Sequence, residues 1–358
     1  MSRSRFIPTR RAGVSPQTSE TVTTNLPPIS ATRARRMVFS LAEVAKAHLR
    51  RVLKAHQVRA VVLRDGLRTA DIVAVVMVRN EADRMPYFLD YYARLGVQHV
   101  ILIDNGSTDD LDAVIRERAQ VSLLRADGSY GSARYGNDWV NRVLTKYCAG
   151  KWTLYVDADE FLVYAGSTTR ALPELITVLE AHGQAGLPCL MVDLYSDQAV
   201  GDNEYRRGVD PLSVCRLYDA SGYERQYEQM SRTTWVKGGV RGRAFFADRQ
   251  EGPALNKIPL VRWRRRYAYL KSSHQLWPLR LNELAAKPMV SGALLHQKFL
   301  SSFATKADDT AQRGEHTQEY LAYIGLSARG GFPGPTTKEY RDPAGLVEDH
   351  LISPSPWG

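Results

Sequence analysis

The segment "KWTLYVDADEFLVY" crowds three carboxylates at the end of an apolar run. Residues 152–156 have the composition of a buried strand, and Asp157, Asp159 and Glu160 follow directly. Carboxylates beside a core cost several kcal/mol each unless a cation or hydrogen-bond donors compensate them. The pattern therefore predicts that positive charge gathers at this point of the fold.

A divalent cation is one source of that charge. If residues 152–164 form one continuous strand, Asp157 and Asp159 point to the same side, because side chains alternate along a strand. Two such carboxylates can share Mg²⁺ or Mn²⁺, whose other positions take water and phosphate oxygens. The alternative is an acidic turn after a strand. A calcium loop is disfavoured, because Leu162 stands at the sixth position, where such a loop needs glycine.

The elements that would position these carboxylates follow a regular order from residue 71. Apolar runs alternate with segments of helical periodicity, and Gly96 is placed to end the first of those helices. This alternation predicts an α/β fold with a mostly parallel central sheet and helices on both faces. The predicted strands are "DIVAVVMV", "VQHVILID", "VSLLRA", "WTLYVDADEFLVY" and "PCLMVDLYS".

Polar clusters follow three of these strands. They are "RNE" (residues 79–81), "DNGSTDD" (residues 104–110) and "DADE" (residues 157–160). In an open parallel sheet, ligands bind outside the carboxyl ends of the strands, so the three clusters are expected to line one pocket. "DNGSTDD" is also typical of a tight turn and a helix cap, and this alternative stays open.

The segments "VAVVMVRNEADRM", "VILIDNGSTDD" and "WTLYVDADEFL" together resemble the N-terminal half of family 2 glycosyltransferases. More narrowly, they are similar to a bacterial family-2-like group with an RNE start and a DADEF strand. The resemblance implies a Rossmann-like fold, glycosyltransferase fold A. It also implies metal-dependent, inverting transfer of a sugar from a nucleotide-diphosphate donor to a hydroxyl acceptor, in polysaccharide or glycolipid synthesis.

The resemblance also implies roles for individual residues. Asp157 would face the ribose and diphosphate, and Asp159 would hold Mn²⁺ or Mg²⁺. Fold A enzymes often add a late histidine as a metal ligand; His296 is the candidate here, with His274 second. The residues expected to contact the nucleotide sugar are Arg79, Asn80, Glu81, Asp104, Asn105, Arg134, Asp157 and Arg241.

The C-terminal half offers weaker patterns. Gly238, Gly239 and Arg241 in "KGGVRGR" could bring amides and a guanidinium to phosphate oxygens, or form a basic turn. Inverting transfer needs a base within reach of the acceptor hydroxyl. Asp193 and Asp197 in "VDLYSD" are the predicted catalytic carboxylates, and the further candidates are Glu224, Glu228 and Glu251.

The charge of the chain is confined to its start. Residues 1–60 hold twelve Lys or Arg and two Glu, which accounts for the whole formal charge of +10. The neutral remainder argues against a nucleic-acid-binding body. We expect a disordered basic leader (1–36) and a basic amphipathic helix (37–60), which either docks its apolar stripe on the domain or lies on an anionic membrane. The leader also resembles a transit peptide weakly.

The remaining organisation follows from pattern and composition. We predict a fold-A domain over 61–305, with a nucleotide-sugar half (about 71–200) and an acceptor half (about 200–305), then a helical or irregular tail (306–358). Three scattered cysteines and the absence of a signal-like or membrane-spanning run favour the cytoplasm, with peripheral contact at the inner face of the membrane.

Two other functions compete with the transferase. A fold-A module could bind nucleotide sugars without catalysis, since no clear base motif stands downstream of the acidic segment. A phosphatase of the haloacid dehalogenase type also places Asp-x-Asp after a strand. That class expects the motif on its first strand and a small residue after the second Asp, whereas Glu160 stands there.

Overall fold

The computed structural model describes residues 33–246, 248–286, 288–302 and 331–357. The strands are β1 (Val58–Val62), β2 (Ile72–Val78), β3 (His99–Asp104), β4 (Val121–Ala126), β5 (Trp152–Asp157), β6 (Glu160–Tyr164), β7 (Gly186–Asp193), β8 (Leu217–Asp219), β9 (Tyr223–Glu228), β10 (Thr233–Gly238), β11 (Asn256–Arg262), β12 (Ala268–Tyr269), β13 (Leu276–Trp277), β14 (Gly292–His296) and β15 (Thr337–Glu339). The helices are α1 (Arg33–Leu53), α2 (Gly66–Thr69), α3 (Met85–Leu95), α4 (Leu111–Ile115), α5 (Asn137–Tyr147), α6 (Leu172–Ala181), α7 (Gly239–Phe245) and α8 (Pro343–Glu348).

A nine-stranded sheet forms the centre, in the order β1-β4-β3-β2-β5-β11-β7-β14-β6. The strands β4, β3, β2, β5, β7 and β14 run in one direction, whereas β1, β11 and β6 run in the other. The prediction of an α/β fold with a mostly parallel sheet is confirmed. The pairs that join β5 to β11 and β11 to β7 are antiparallel.

Helices cover both faces of this sheet. Alternate residues of β2, such as Val76, lie in one apolar cluster with Phe88 of α3, while Val75 lies in a second cluster with Trp139 of α5. The continuous apolar run of β2 is therefore buried on both sides. Gly96 caps α3 with φ +102°, as its position in the sequence predicts.

The predicted fourth strand is wrong, because two strands take its place. β5 ends at Asp157, Ala158 and Asp159 form a turn, and β6 begins at Glu160. β6 pairs with β14 at the far edge of the sheet. Since a two-residue connection spans at most roughly 10 Å, the sheet must curl until that edge returns to the end of β5. The curl brings β6, β7, β11 and β14 around the acidic segment.

The N-terminal helix differs from its prediction in its bounds. It spans Arg33–Leu53, and residues 58–62, partly assigned to the helix, form the edge strand β1. A domain boundary at residue 61 would divide β1. Residues 33–36 of the predicted leader belong to the helix, and residues 1–32 lie outside the described part of the chain.

The C-terminal segment packs on the main core. Residues 303–330 lie outside the described part, and beyond them β15 pairs with β8. Phe332, Tyr340 and Leu346 are buried in the same apolar cluster as α3. Across the described ranges, none of the helices combines the length and apolar character that a membrane span requires.

Candidate functional site

A lysine supplies positive charge to the acidic segment. Lys257 lies on β11, is 4% exposed, and donates from Nζ to Asp157 Oδ2 at 2.8 Å and to Glu160 Oε1 at 2.5 Å. The other oxygen of Glu160 accepts the backbone N–H of Asp157 at 3.0 Å. Lys257 and Glu160 are therefore buried partners, whereas the Asp157 side chain keeps 44% of its surface exposed. Sequence reasoning missed Lys257, whose only signal is one lysine inside the apolar run "NKIPLV".

Burial and pairing set the protonation of this group. Burial raises the pKa of Glu160 to about 7, although Lys257 opposes the rise. Burial alone would lower the pKa of Lys257, but the carboxylates of Asp157 and Glu160 outweigh it and raise that pKa above its usual value. The ammonium therefore stays charged and offsets part of the negative charge.

A second group of side chains links Asp159 to strands β14 and β7 and to helix α7. His296, at the end of β14, places Nε2 3.5 Å from Asp159 Oδ2 and Nδ1 2.6 Å from Asp193 Oδ1. Arg241 of α7 donates from Nε to Asp193 Oδ2 at 2.7 Å. Since the Asp193 carboxylate accepts from Nδ1–H, Nε2 is left facing Asp159.

These contacts argue against Asp193 as the base. Burial would raise its pKa, but Arg241 and the hydrogen bond from His296 prevail and lower the pKa to about 2. Asp193 is 3% exposed and bound on both oxygens, so it accepts a proton poorly and fixes the His296 ring instead. Asp197, the other predicted base, is exposed four residues beyond β7 and lines a polar cavity of about 480 Å³.

The predicted three-ligand metal set does not assemble. Among the described residues, no group of three or more His, Cys, Asp or Glu is placed to hold one ion. Lys257 engages one oxygen of Asp157, which disfavours Asp157 as a third ligand. Asp159 and His296 do fit a cation, because two atoms 3.5 Å apart can both lie about 2.1 Å from one ion.

Arg84, the residue that precedes α3, also contacts Asp159. Its Nη1 lies 3.6 Å from Asp159 Oδ2 and donates to the Gln297 carbonyl at 3.1 Å. Its Nε lies 3.4 Å from Oε2 of Glu81, one of the predicted nucleotide contacts. Arg84, which is 7% exposed, is a second cation that the sequence prediction missed.

The loops after β2 and β3 bind each other. Arg79 donates to the Asn105 carbonyl at 2.8 Å, and Asn80 Oδ1 accepts from Thr108 N at 2.8 Å. Asp104 Oδ1 accepts from the backbone and hydroxyl of Ser107 at 2.8 and 2.7 Å. The contacts of Asp104, which is 1% exposed, are therefore those expected if "DNGSTDD" forms a tight turn.

Other predicted residues also make internal contacts. Asn105 donates to the carbonyls of Ala126 and Gly128, at 2.9 and 3.1 Å. Arg134 bonds to Asp138 and to the Leu270 carbonyl, which ties it to α5 rather than to the acidic segment. These contacts disfavour direct binding of a nucleotide by either side chain.

The glycine-rich turn has a packing role. A Cβ on Gly238 would lie 2.0 Å from the Gly222 carbonyl oxygen, so β9 and β10 approach closely only with glycine there. His274, the second metal candidate, places Nδ1 2.6 Å from the Asn256 carbonyl, as a neutral donor would. Burial lowers its pKa to about 4.

No protein-family model matches the chain, and no curated protein matches it significantly. Solved structures with similarity include a mannosyltransferase from Pyrobaculum calidifontis in complex with GDP-mannose and Mn²⁺ (17% identity, TM-score 0.26, 44% of this chain and 47% of that one). Another is the glucosyl-3-phosphoglycerate synthase of Mycobacterium tuberculosis with Mn²⁺ and UDP (17%, 0.23, 36% and 47%). A third is a 4-diphosphocytidyl-2C-methyl-D-erythritol synthase (15%, 0.25, 41% and 70%). The chain spans about half the length of the first two.

Proposed function

We propose that the protein is a metal-dependent, inverting glycosyltransferase that moves a sugar from a nucleotide-diphosphate donor to a hydroxyl acceptor. One observation carries the proposal: Asp159 and His296 face each other at 3.5 Å where strand ends converge, and His296 is held by the buried pair of Asp193 and Arg241. A carboxylate and an oriented imidazole are suitable ligands for Mn²⁺.

Asp159 and His296 would hold the cation, which supplies charge that stabilises a departing diphosphate. Since Mg²⁺ and Mn²⁺ sites commonly use only one or two protein carboxylates and fill the rest with phosphate and water, two protein ligands suffice. The carboxylate of Asp157 is partly exposed and can accept a hydrogen bond from a ribose hydroxyl. Arg84 and Lys257 reduce the repulsion between an incoming diphosphate and the acidic segment.

A non-catalytic nucleotide-sugar-binding module is the second candidate. The observation that favours it is the state of Asp193, whose two ion pairs remove the best-placed base. Under this alternative, the donor would bind with its metal but would not turn over.

Thermal stability in the presence of UDP, GDP, dTDP or CDP, each with and without Mn²⁺, tests the site. A nucleotide at about 100 times its Kd adds about 2.7 kcal/mol of stability. We expect a Mn²⁺-dependent shift with one nucleotide, abolished in Asp159→Ala and His296→Ala and kept in Asp197→Ala, the matched control. Release of nucleoside diphosphate from the corresponding sugar donor then separates transferase from binding module. A lack of shift with all four nucleotides rejects both.

A further inference from the structure

The N-terminal helix α1 turns an apolar stripe toward solvent. Val38, Leu41, Leu49, Val52 and Leu53 are 53–65% exposed, which is unusual for large aliphatic side chains on one element. With exposed Ala45 they recur at helical intervals along one side. The helix has 21 residues, so the stripe runs along an element of about 32 Å.

The opposite side of α1 is the one that docks. Val44 and Ala47 are buried with Ala268 and Leu270 in a small apolar cluster. Ser40 accepts a hydrogen bond from Trp277 Nε1 at 2.9 Å.

Basic residues fasten the same side. Arg50 pairs with the buried Asp138 at 2.9 Å, and Arg51 donates to Thr145 Oγ1 at 2.9 Å. The helix is therefore fixed with its most apolar side outward. This orientation is the reverse of the one expected for a helix that docks its apolar stripe.

The charge of the N-terminal segment indicates which kind of surface contacts the exposed apolar side of α1. Residues 1–60 hold the whole excess of positive charge, and the rest of the chain is balanced. Lys46 lies on the exposed part of the helix with 68% of its side chain accessible. An exposed apolar stripe within a segment of high net positive charge is typical of helices that lie in the headgroup region of anionic membranes. A second copy would bring a segment of net charge +10 against its equal, and the two would repel.

We propose that α1 is an interfacial helix that inserts Val38, Leu41, Leu49 and Val52 into an anionic lipid surface. The basic N-terminal residues then neutralise lipid headgroups, and the docked side of α1 holds the sheet against the membrane. This inference does not depend on the proposed transferase activity.

Co-sedimentation of the full chain with lipid vesicles tests the inference. We expect binding to vesicles of phosphatidylcholine with phosphatidylglycerol, and weaker binding to phosphatidylcholine alone. The triple variant Leu41→Ser/Leu49→Ser/Val52→Ser should reduce the binding at least about tenfold. The control Val209→Ser/Met289→Ser removes two exposed apolar side chains elsewhere and should bind as the wild type does.

A second variant tests the electrostatic part. Replacing Arg3, Arg5, Arg10 and Arg11 by Gln should weaken binding to anionic vesicles and reduce its dependence on salt. The inference is overturned if the wild type ignores anionic vesicles, or if the triple serine variant binds equally well. It is also overturned if sedimentation equilibrium shows a dimer that the serine variant dissolves, because the stripe would then join two copies.

Discussion

Lys257 reaches the acidic segment from about a hundred residues further along the chain. Its ammonium lies between Asp157 and Glu160, and it is almost fully buried. A buried ion pair adds little net stability compared with apolar packing, but removing one partner leaves an uncompensated charge. Loss of the Lys257 ammonium is therefore expected to destabilise the fold by more than the ion pair itself stabilises it.

Replacing Lys257 by Met keeps the volume and removes the charge. We expect a loss of about 3–5 kcal/mol in the free energy of unfolding at pH 8, because Glu160 is left buried without its cation. The deficit should shrink as the pH falls toward 5, since Glu160, whose pKa is already raised to about 7, then becomes neutral. Urea unfolding across this pH range measures both effects.

The double variant Lys257→Met/Glu160→Gln is the control for this experiment. It removes both charges of the pair and should recover part of the lost stability at pH 8. A single-variant loss below about 1 kcal/mol, or no recovery in the double variant, would show that the pair has little energetic importance.

Asp193 offers a test that separates a base from a positioning residue. In Asp193→Asn the His296 ring loses its charged partner, so the Mn²⁺ affinity in the presence of the preferred nucleotide should fall about 10- to 100-fold. If Asp193 were the general base, its replacement by Asn would lower turnover and leave the Mn²⁺ affinity unchanged. Titration of Mn²⁺ by calorimetry decides between the two, with Asp197→Asn as the exposed control. Unchanged affinity in Asp193→Asn would refute the positioning role.

At the scale of elements, the return of β6 to the end of β5 forms the site. This return depends on close packing between β6, β14 and β7. Gly292, the first residue of β14, pairs with Tyr164 on one side and Cys189 on the other. A Cβ there would lie 2.6 Å from the Val163 carbonyl oxygen, so the backbones would have to separate.

We therefore expect Gly292→Ala to destabilise the protein by about 1–3 kcal/mol, the usual cost of overpacking. Gly131→Ala is the matched control, because the nearest atom to its Cβ would be 3.9 Å away. Urea midpoints of the two variants give the comparison. Equal stability of the two variants would mean that the β6–β14 pairing tolerates expansion and that the curl is not held there.

Local pattern predicts the first half of the sheet and fails for the second. β2, β3 and β4 are separated by helices, and each has an apolar run that is buried on both faces. The break at Ala158 and Asp159 carries no glycine or proline, and its only local signal is the acidic cluster of residues 157–160, which suits a cation site as well as a turn after a strand. Only the pairing of β6 with β14, more than a hundred residues later, makes the break necessary.

At the candidate site, too, local sequence pattern predicts some residues and misses those that only tertiary packing brings in. Asp159 was predicted from its residue type and its place after a strand, and His296 from the resemblance to fold A glycosyltransferases; the fold places the two side chains 3.5 Å apart. Lys257 and Arg84 were missed, since a lone lysine in a strand and an arginine at the start of a helix are common surface residues. Their partners are fixed by tertiary packing, which composition and periodicity do not encode.

At the scale of the whole molecule, the buried His99 is expected to lower the stability of the fold in acid. Burial and the nearby Lys151 lower the pKa of His99 to about 4. His99 is fully buried on β3, and its Nε2 lies 2.8 Å from Ser122 Oγ. The unfolded chain, with an ordinary histidine pKa of about 6.5, binds a proton in a range where the folded chain does not.

The contribution of His99 to stability should therefore decline as the pH falls from 6.5 to 4, because the unfolded state gains this proton first, whereas Glu160, whose pKa is raised to about 7, acts in the opposite direction. His99→Gln keeps a polar group beside Ser122 and removes the histidine titration, so its melting temperature relative to that of the wild type should rise between pH 7 and pH 5. His56→Gln, which changes an exposed histidine, is the control and should follow the wild type. If His99→Gln shows the same acid dependence as the wild type, the charge that destabilises the fold in acid lies elsewhere in the molecule.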